Sequence, residues 1–217
     1  MIIGLANSKG GVGKSTIARN LVTYLNDIRI PTGLVDAEDG APTATLLSRF
    51  DPSLATRAAT TVESIDEAVS ELVESGRHVF LDAPGKEGEQ VSSLCLLSDL
   101  VIIPLCVSEQ DLLQTVRIVE FVRQQQVRNH GRPTAMIVFT RTLKNDIATI
   151  PMRDFLEKTG MAIANTEIRE RIAIKRNITV MRDSSHYRND GPANDFVALA
   201  EELGLIRNHA TAGAANE

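Results

Sequence analysis

The chain has 217 residues, 43% apolar and 24% charged, which excludes global disorder and suits one domain with a full core. Aromatic residues make up only 4% and tryptophan is absent, so a stacking platform for single-stranded nucleic acid is disfavoured. The net charge of −5 is uneven, with 8 basic against 15 acidic residues over 1–109 and 15 against 13 over 110–217, so nucleic-acid binding would need a local basic patch.

The first apolar run, Ile2–Ala6, predicts a buried strand. It leads into Lys9-Gly-Gly-Val-Gly-Lys-Ser15 and then a helical pattern over Lys14–Asp27. A loop that curls around a phosphate needs backbone N–H groups pointing inward and no side chain in the way, which asks for glycine. The helix beginning near Gly13 aims its positive dipole end at the same anion. A solvated strand-to-helix turn would require no such order. The nucleotide-binding candidates are therefore Lys9, Gly10, Gly11, Val12, Gly13, Lys14, Ser15 and Thr16. Lys14 would reach the terminal phosphates and Ser15 would ligate Mg²⁺. Ser8 stands where the ordinary loop has its first glycine. Lys9 lies upstream of the cradle, where it could reach a phosphate outside its own site.

The next strand, Gly33–Val35, ends on Asp36, which opens the acidic segment DAEDG. A carboxylate there can orient the water that attacks a γ-phosphate. Glu38 and Asp39 read equally well as a solvated turn. After a helical pattern over Val62–Ser75, the strand His78–Asp82 ends on Asp82. That carboxylate could hold Mg²⁺ through its water shell, or merely cap a turn before Pro84. The remaining pattern alternates: helix Gln90–Leu97, strand Leu100–Leu105, helix Glu109–Arg128, strand Ala135–Thr140, helix Ile147–Thr159, strand Met161–Ala164 and a last helix Asn194–Leu203. Such alternation predicts a doubly wound α/β fold whose mostly parallel sheet carries helices on both faces. Its ligands would bind beyond the carboxyl ends of the strands, where the loop, Asp36 and Asp82 converge. Ser108 and the pair Thr140–Arg141 stand at the same edge and could line a small-substrate pocket or, as easily, contact a purine.

Cys95 and Cys106 sit in apolar surroundings and read as core. No apolar run approaches the ~20 residues that span a bilayer, and no basic leader precedes the first strand, so a cytoplasmic protein is expected. The division is expected to be one domain over 1–208, with residues 209–217 (HATAGAANE) as a disordered tail.

Four stretches together resemble the ParA/MinD family of deviant-loop ATPases: SKGGVGKST at Ser8–Thr16, GLVDAED at Gly33–Asp39, VFLDAPG at Val79–Gly85 and DLVIIPL at Asp99–Leu105. The resemblance spans roughly residues 1–200, and the additional lysine of the first motif is the family's hallmark. It implies Mg²⁺-dependent ATP hydrolysis by a homodimer that sandwiches two ATP molecules. Lys9 would cross to the partner subunit's phosphates, Asp36 would place the attacking water, and Asp82 would join the Mg²⁺ shell. One departure is that Glu38, Asp39 and Gly40 replace the family's aspartate, proline and glutamine. The tail lacks the basic amphipathic helix of the membrane-bound branch, so no membrane partner is expected. The partition branch binds non-specific double-stranded DNA on the nucleoid and answers to a ParB-like centromere-binding protein. Arg169, Arg171, Lys175, Arg176, Arg182 and Arg188 form the candidate DNA patch, or alternatively an ion-paired helix face. Three functions follow as expectations. DNA segregation stands first, and positioning of a protein cargo on the nucleoid is its nearest alternative. A metabolic enzyme using the same loop is the third.

Overall fold

The computed structural model describes residues 1–85, 89–144, 146–172, 174 and 193–206. Its elements run β1 (Ile2–Leu5), α1 (Lys14–Asp27), β2 (Thr32–Asp36), α2 (Pro42–Phe50), β3 (Ala55–Ala58), α3 (Val62–Glu74) and β4 (His78–Asp82). They continue with α4 (Glu89–Leu97), β5 (Leu100–Cys106), α5 (Glu109–Arg128), β6 (Thr134–Thr142), α6 (Thr149–Glu157), β7 (Ala162–Ile163), β8 (Ile168–Arg169) and α7 (Asn194–Glu202). The sheet order is β3-β2-β4-β1-β5-β6-β7, with β8 also paired to β6, and every pairing is parallel.

Side chains alternate across a strand, so a sheet covered on both faces needs apolar residues at consecutive positions. That is how these strands are built. Leu34, Phe80, Ile102 and Val138 pack on one face with Ile17, Leu21 and Leu25 of α1 and with Phe196 and Leu199 of α7. Their neighbours Val35, Leu81, Ile103 and Phe139 pack on the other face with Ile65, Val69 and Leu72 of α3, Leu94 of α4 and Ile118 and Val122 of α5. On that second face Gly4 of β1 allows a close approach, since a Cβ there would lie 2.4 Å from Leu94 and 2.5 Å from the Ser98 hydroxyl.

The α/β architecture expected from the alternating pattern is the one observed. Three elements were not expected: α2, β3 and β8. Strand β3 reads Ala-Thr-Arg-Ala, lies at the sheet edge and is only partly buried, so it carries no apolar run. Helix α2 begins at Pro42 after an N-cap Ala41 with φ of +42°, and a sequence of polar turn residues conceals its start. Strand β8 is two residues long, below what periodicity can reveal.

The register brings the chemistry to one edge. Asp36 and Asp82 are direct partners on adjacent strands, and Leu5, which leads into the glycine loop, pairs with Asp82.

Candidate nucleotide site

Beyond β1 the chain turns on Asn7, which is fully buried. Its Nδ2 donates to the Pro104 carbonyl (2.8 Å), and its Oδ1 accepts from the Lys9 N–H (3.0 Å). Gly11 and Gly13 have φ of +78° and +103°, conformations that favour glycine, and Gly13 caps α1. From below, the Thr140 hydroxyl donates to the Val12 carbonyl (2.7 Å). Thr140 thus braces the loop in addition to lining the cavity. Lys14 curls back across the loop, its Nζ donating to the carbonyls of Asn7 (3.0 Å) and Lys9 (3.2 Å). Burial pushes its pKa down from the usual lysine value, while Asp82 and then Glu38 pull it up.

Two carboxylates of β2 and β4 face this loop, and they are held differently. Asp36 is fully buried. Its Oδ1 accepts from the Glu38 N–H (3.1 Å), and its Oδ2 accepts from the N–H groups of Thr43 (2.8 Å) and Ala44 (3.0 Å). It therefore supplies acceptors to the first turn of α2, whose own N-cap side chain offers none. Asp82 accepts a hydrogen bond from the Thr43 hydroxyl on Oδ2 (2.9 Å), whereas its Oδ1 is buried without a partner. Burial raises the Asp82 pKa from 3.8 to about 6; the hydroxyls of Ser15 and Thr43 oppose that rise, Asp36 adds to it and Lys14 opposes it. An unsatisfied buried carboxylate oxygen beside the Ser15 hydroxyl is a donor set that suits Mg²⁺, which takes few protein oxygens and keeps several waters. Ser15 and Asp82 are thus the residues that could hold the metal.

Lys9 stands apart from that cradle. Its ammonium is partly exposed and pairs with the buried carboxylate of Asp111 in the first turn of α5. Asp111 is fixed in turn by Ser108, whose hydroxyl donates to Asp111 Oδ2 (2.7 Å) and accepts from its N–H (3.1 Å). The neighbouring Ser8 hydroxyl donates to Gln114 Oε1 (3.1 Å), so the front of the loop is stitched to α5 twice.

A cavity of about 390 Å³ opens between the loop and the later strand ends. Its phosphate end is lined by Gly10, Gly11, Gly13, Lys14, Ser15, Thr16, Glu38 and Gly85. Its far end is lined by Arg19, Arg141, Ile168, Arg169, Glu170, Arg171 and Ile174, with Thr140 beneath the loop. Arg141 has φ of +57° at an irregularity between the Thr140 and Thr142 pairings with β8, where a bulge re-aims the side chain.

A model of the CobQ/CobB/MinD/ParA nucleotide binding domain matches residues 3–181. The chain belongs to this family. Over 182 residues it is 25% identical to the maintenance of carboxysome distribution protein A of Halothiobacillus neapolitanus, covering 82% of this chain and 83% of that protein. Among solved structures, the MinD cell division protein of Aquifex aeolicus superposes with a TM-score of 0.72 at 16% identity, covering 95% of this chain and 98% of that one. An ATP complex of a Cyanothece McdA variant superposes with a TM-score of 0.70 at 16% identity, covering 95% and 97%. At such identities the structural likeness is one of fold.

For a ParA/MinD-type nucleotide site, the sequence candidates divide in space. Gly10, Gly11, Gly13, Lys14, Ser15, Thr16, Thr140 and Arg141 line one cavity, with Val12 buried behind the loop. Asp36 does not line it; of the two carboxylates that do, Glu38 and Glu170, Glu38 is the one whose charge acts on Lys14, and it reads from sequence as an equal candidate for a solvated turn. Arg169 and Arg171 line the far end of the cavity, and Arg171 pairs with Asp195 (3.4 Å). Lys175, Arg176, Arg182 and Arg188 lie outside the described residues. Asp111 and Arg19 were not anticipated. The Ser-x-x-Asp spacing at 108–111 is a helix-start signal that could have exposed the first. Cys95 is buried as expected, with its thiol pKa pushed up to about 12 by burial. Among the described residues no helix is long and apolar enough to cross a membrane.

Proposed function

We propose that this protein is a Mg²⁺-dependent ATPase that dimerises around ATP and, as a dimer, holds non-specific double-stranded DNA while positioning a cargo. The observation that carries this reading is the unequal placement of two lysines on one loop. Lys14 is buried and bonded across its own phosphate cradle, whereas Lys9 is partly exposed and reaches away from it. A lysine so placed has no phosphate of its own subunit to serve and is free to serve a second subunit's once released from Asp111. Loop N–H groups and Lys14 would neutralise the terminal phosphates, and the fixed positions of these groups supply most of what phosphoryl transfer needs. Mg²⁺ held by Ser15 and Asp82 would neutralise charge developing on the phosphate oxygens.

Hydrolysis transfers the γ-phosphoryl group to water, giving ADP and phosphate. Glu38 is proposed to orient that water, because it lines the phosphate end of the cavity. The part expected of Asp36 is revised accordingly. Its oxygens are engaged by three backbone N–H groups, so it holds the segment that carries Glu38.

The similarity to a protein named for carboxysome distribution supports a protein assembly as the cargo, rather than a plasmid or chromosome. Partition with a ParB-like partner is the second reading, and it shares the dimer and the DNA. The proposed place of action is the cytoplasm, on the nucleoid, by the single domain of residues 1–208. The test is anisotropy of a labelled random duplex at two salt concentrations, with ATP or ADP, alongside light scattering. ATP-dependent dimerisation with steeply salt-dependent DNA binding is expected. Binding that ignores the nucleotide, or no binding at all, would overturn the DNA part of the reading.

A further inference from the structure

Helix α1 carries an arginine into the nucleotide cavity one turn beyond Ser15. Arg19 lies about 6 Å further along the axis than Ser15, on the same face, and helix side chains lean back toward the N-terminus. Its guanidinium is therefore returned toward the level of Ser15 and Thr16. Two observations locate it from opposite sides. Asp82, beside Ser15, acts on it electrostatically, and its Nη2 reaches the Ile174 carbonyl at 3.5 Å on the far wall. Between these, its Nε is buried without an acceptor. No described carboxylate forms an ion pair with it. Burial is the largest influence on its charge and opposes it, and a guanidinium does not escape by losing its proton. A partly desolvated cation with an unpaired N–H, on a side chain that lines a cavity, is stabilised by an anionic acceptor entering that cavity.

Resting on the ATP site proposed above, we infer that Arg19 binds the α-phosphate of the nucleotide. The terminal phosphates belong to the loop amides and Lys14 at the start of α1. Arg19 is rooted five residues further along α1 and leans back, so its guanidinium lies between those groups and Ile168, Ile174 and Arg141, where the nucleoside would begin. An acceptor present in both ATP and ADP is the one this position can reach.

Calorimetric titration of ATP and ADP into wild type, Arg19→Met and Arg19→Lys tests the inference. The Met variant should lose about tenfold or more in affinity for both nucleotides alike, the size of one charge-assisted hydrogen bond, and the Lys variant should recover part of it. Loss confined to ATP would move the contact to the terminal phosphate and overturn the assignment. Unchanged affinities, or a loss that Lys does not lessen at all, would leave Arg19 a structural cation. Wild type binding neither nucleotide would instead overturn the ATP reading itself.

Discussion

Replacing Asp82 by Asn should stabilise the unliganded protein while weakening its grip on Mg²⁺-ATP. The carboxylate is 1% exposed, and Oδ1 has no hydrogen-bond partner. Moving its pKa from 3.8 to about 6 means that the ionised native state carries a penalty of about 3 kcal/mol above pH 6, at about 1.4 kcal/mol per tenfold in the proton equilibrium. Asn keeps an acceptor for the Thr43 hydroxyl but places an amide donor near the other oxygen's position, which offsets about 1 kcal/mol if it finds no acceptor. A net gain of about 1–3 kcal/mol corresponds to roughly 2–10 °C in melting temperature for a chain of this size. The sign with pH follows from the direction of the shift. Between 3.8 and about 6 the native state holds a proton that the unfolded state has released, so wild-type stability falls as pH rises through that window. The penalty that Asp82→Asn removes should thus be full at pH 7.5, roughly halved at pH 5 and nearly gone below 3.8, where only the cost of the amide remains. Thermal melts across that range, with and without Mg²⁺-ATP, measure it. With ligand the order should reverse, because wild type alone offers the metal a carboxylate. An unliganded variant less stable than wild type at pH 7.5, or an advantage independent of pH, would falsify the assignment of a strained carboxylate.

The other expectations concern the loop and its neighbours. Lys14→Ala should remove tight ATP binding, measured by calorimetry, with the far-ultraviolet circular dichroism of wild type; retained affinity would release Lys14 from the phosphates. Lys9→Ala should bind ATP but fail to dimerise in light scattering, whereas Asp111→Asn, which frees Lys9 from its ion pair, should dimerise at lower ATP concentration; equal dimerisation by all three proteins would make Lys9 an ordinary surface lysine. Glu38→Gln should lower turnover by at least tenfold with ATP affinity retained, the usual scale for losing a positioned carboxylate. Asp36→Asn should chiefly lower thermal stability, since it keeps one acceptor oxygen for the α2 N–H groups but loses their charge complement. A turnover defect in Asp36→Asn alone, with Glu38→Gln normal, would return the water-positioning part to Asp36.

What the sequence revealed and what it hid follow the range of the interactions. The phosphate loop was legible because strand, glycines and helix are consecutive, and local backbone demands fix their residue types. The central strands were legible because burial on both faces writes continuous apolar runs such as HVFLD and LVIIPL. Pairs formed across long sequence separations were not. Lys9 meets Asp111 only because β5 lies beside β1, and Thr140 meets Val12 only because β6 follows β5 in the sheet. That Glu38 lines the cavity while Asp36 does not was hidden for a related reason. Which carboxylate faces solvent depends on α2, and α2 opens on Pro42 and a left-handed Ala41 with no apolar signal.

The charges at this site also say what kind of ligand it accepts. Lys14 is driven toward its neutral form by burial, and Asp82 is driven toward its own neutral form by the same cause. Each charge opposes the other's shift, yet neither shift is cancelled. The reason is geometric: Lys14 spends its hydrogen bonds on the carbonyls of Asn7 and Lys9, and Asp82 Oδ2 is spent on Thr43. An anion alone would relieve Lys14 but add repulsion to Asp82, and a cation alone would do the reverse. Only a ligand carrying both signs, with its negative part over the loop and its positive part beside Asp82 and Ser15, relieves both at once. A triphosphate with its divalent cation has that form, so metal and nucleotide should bind this site with strong mutual dependence.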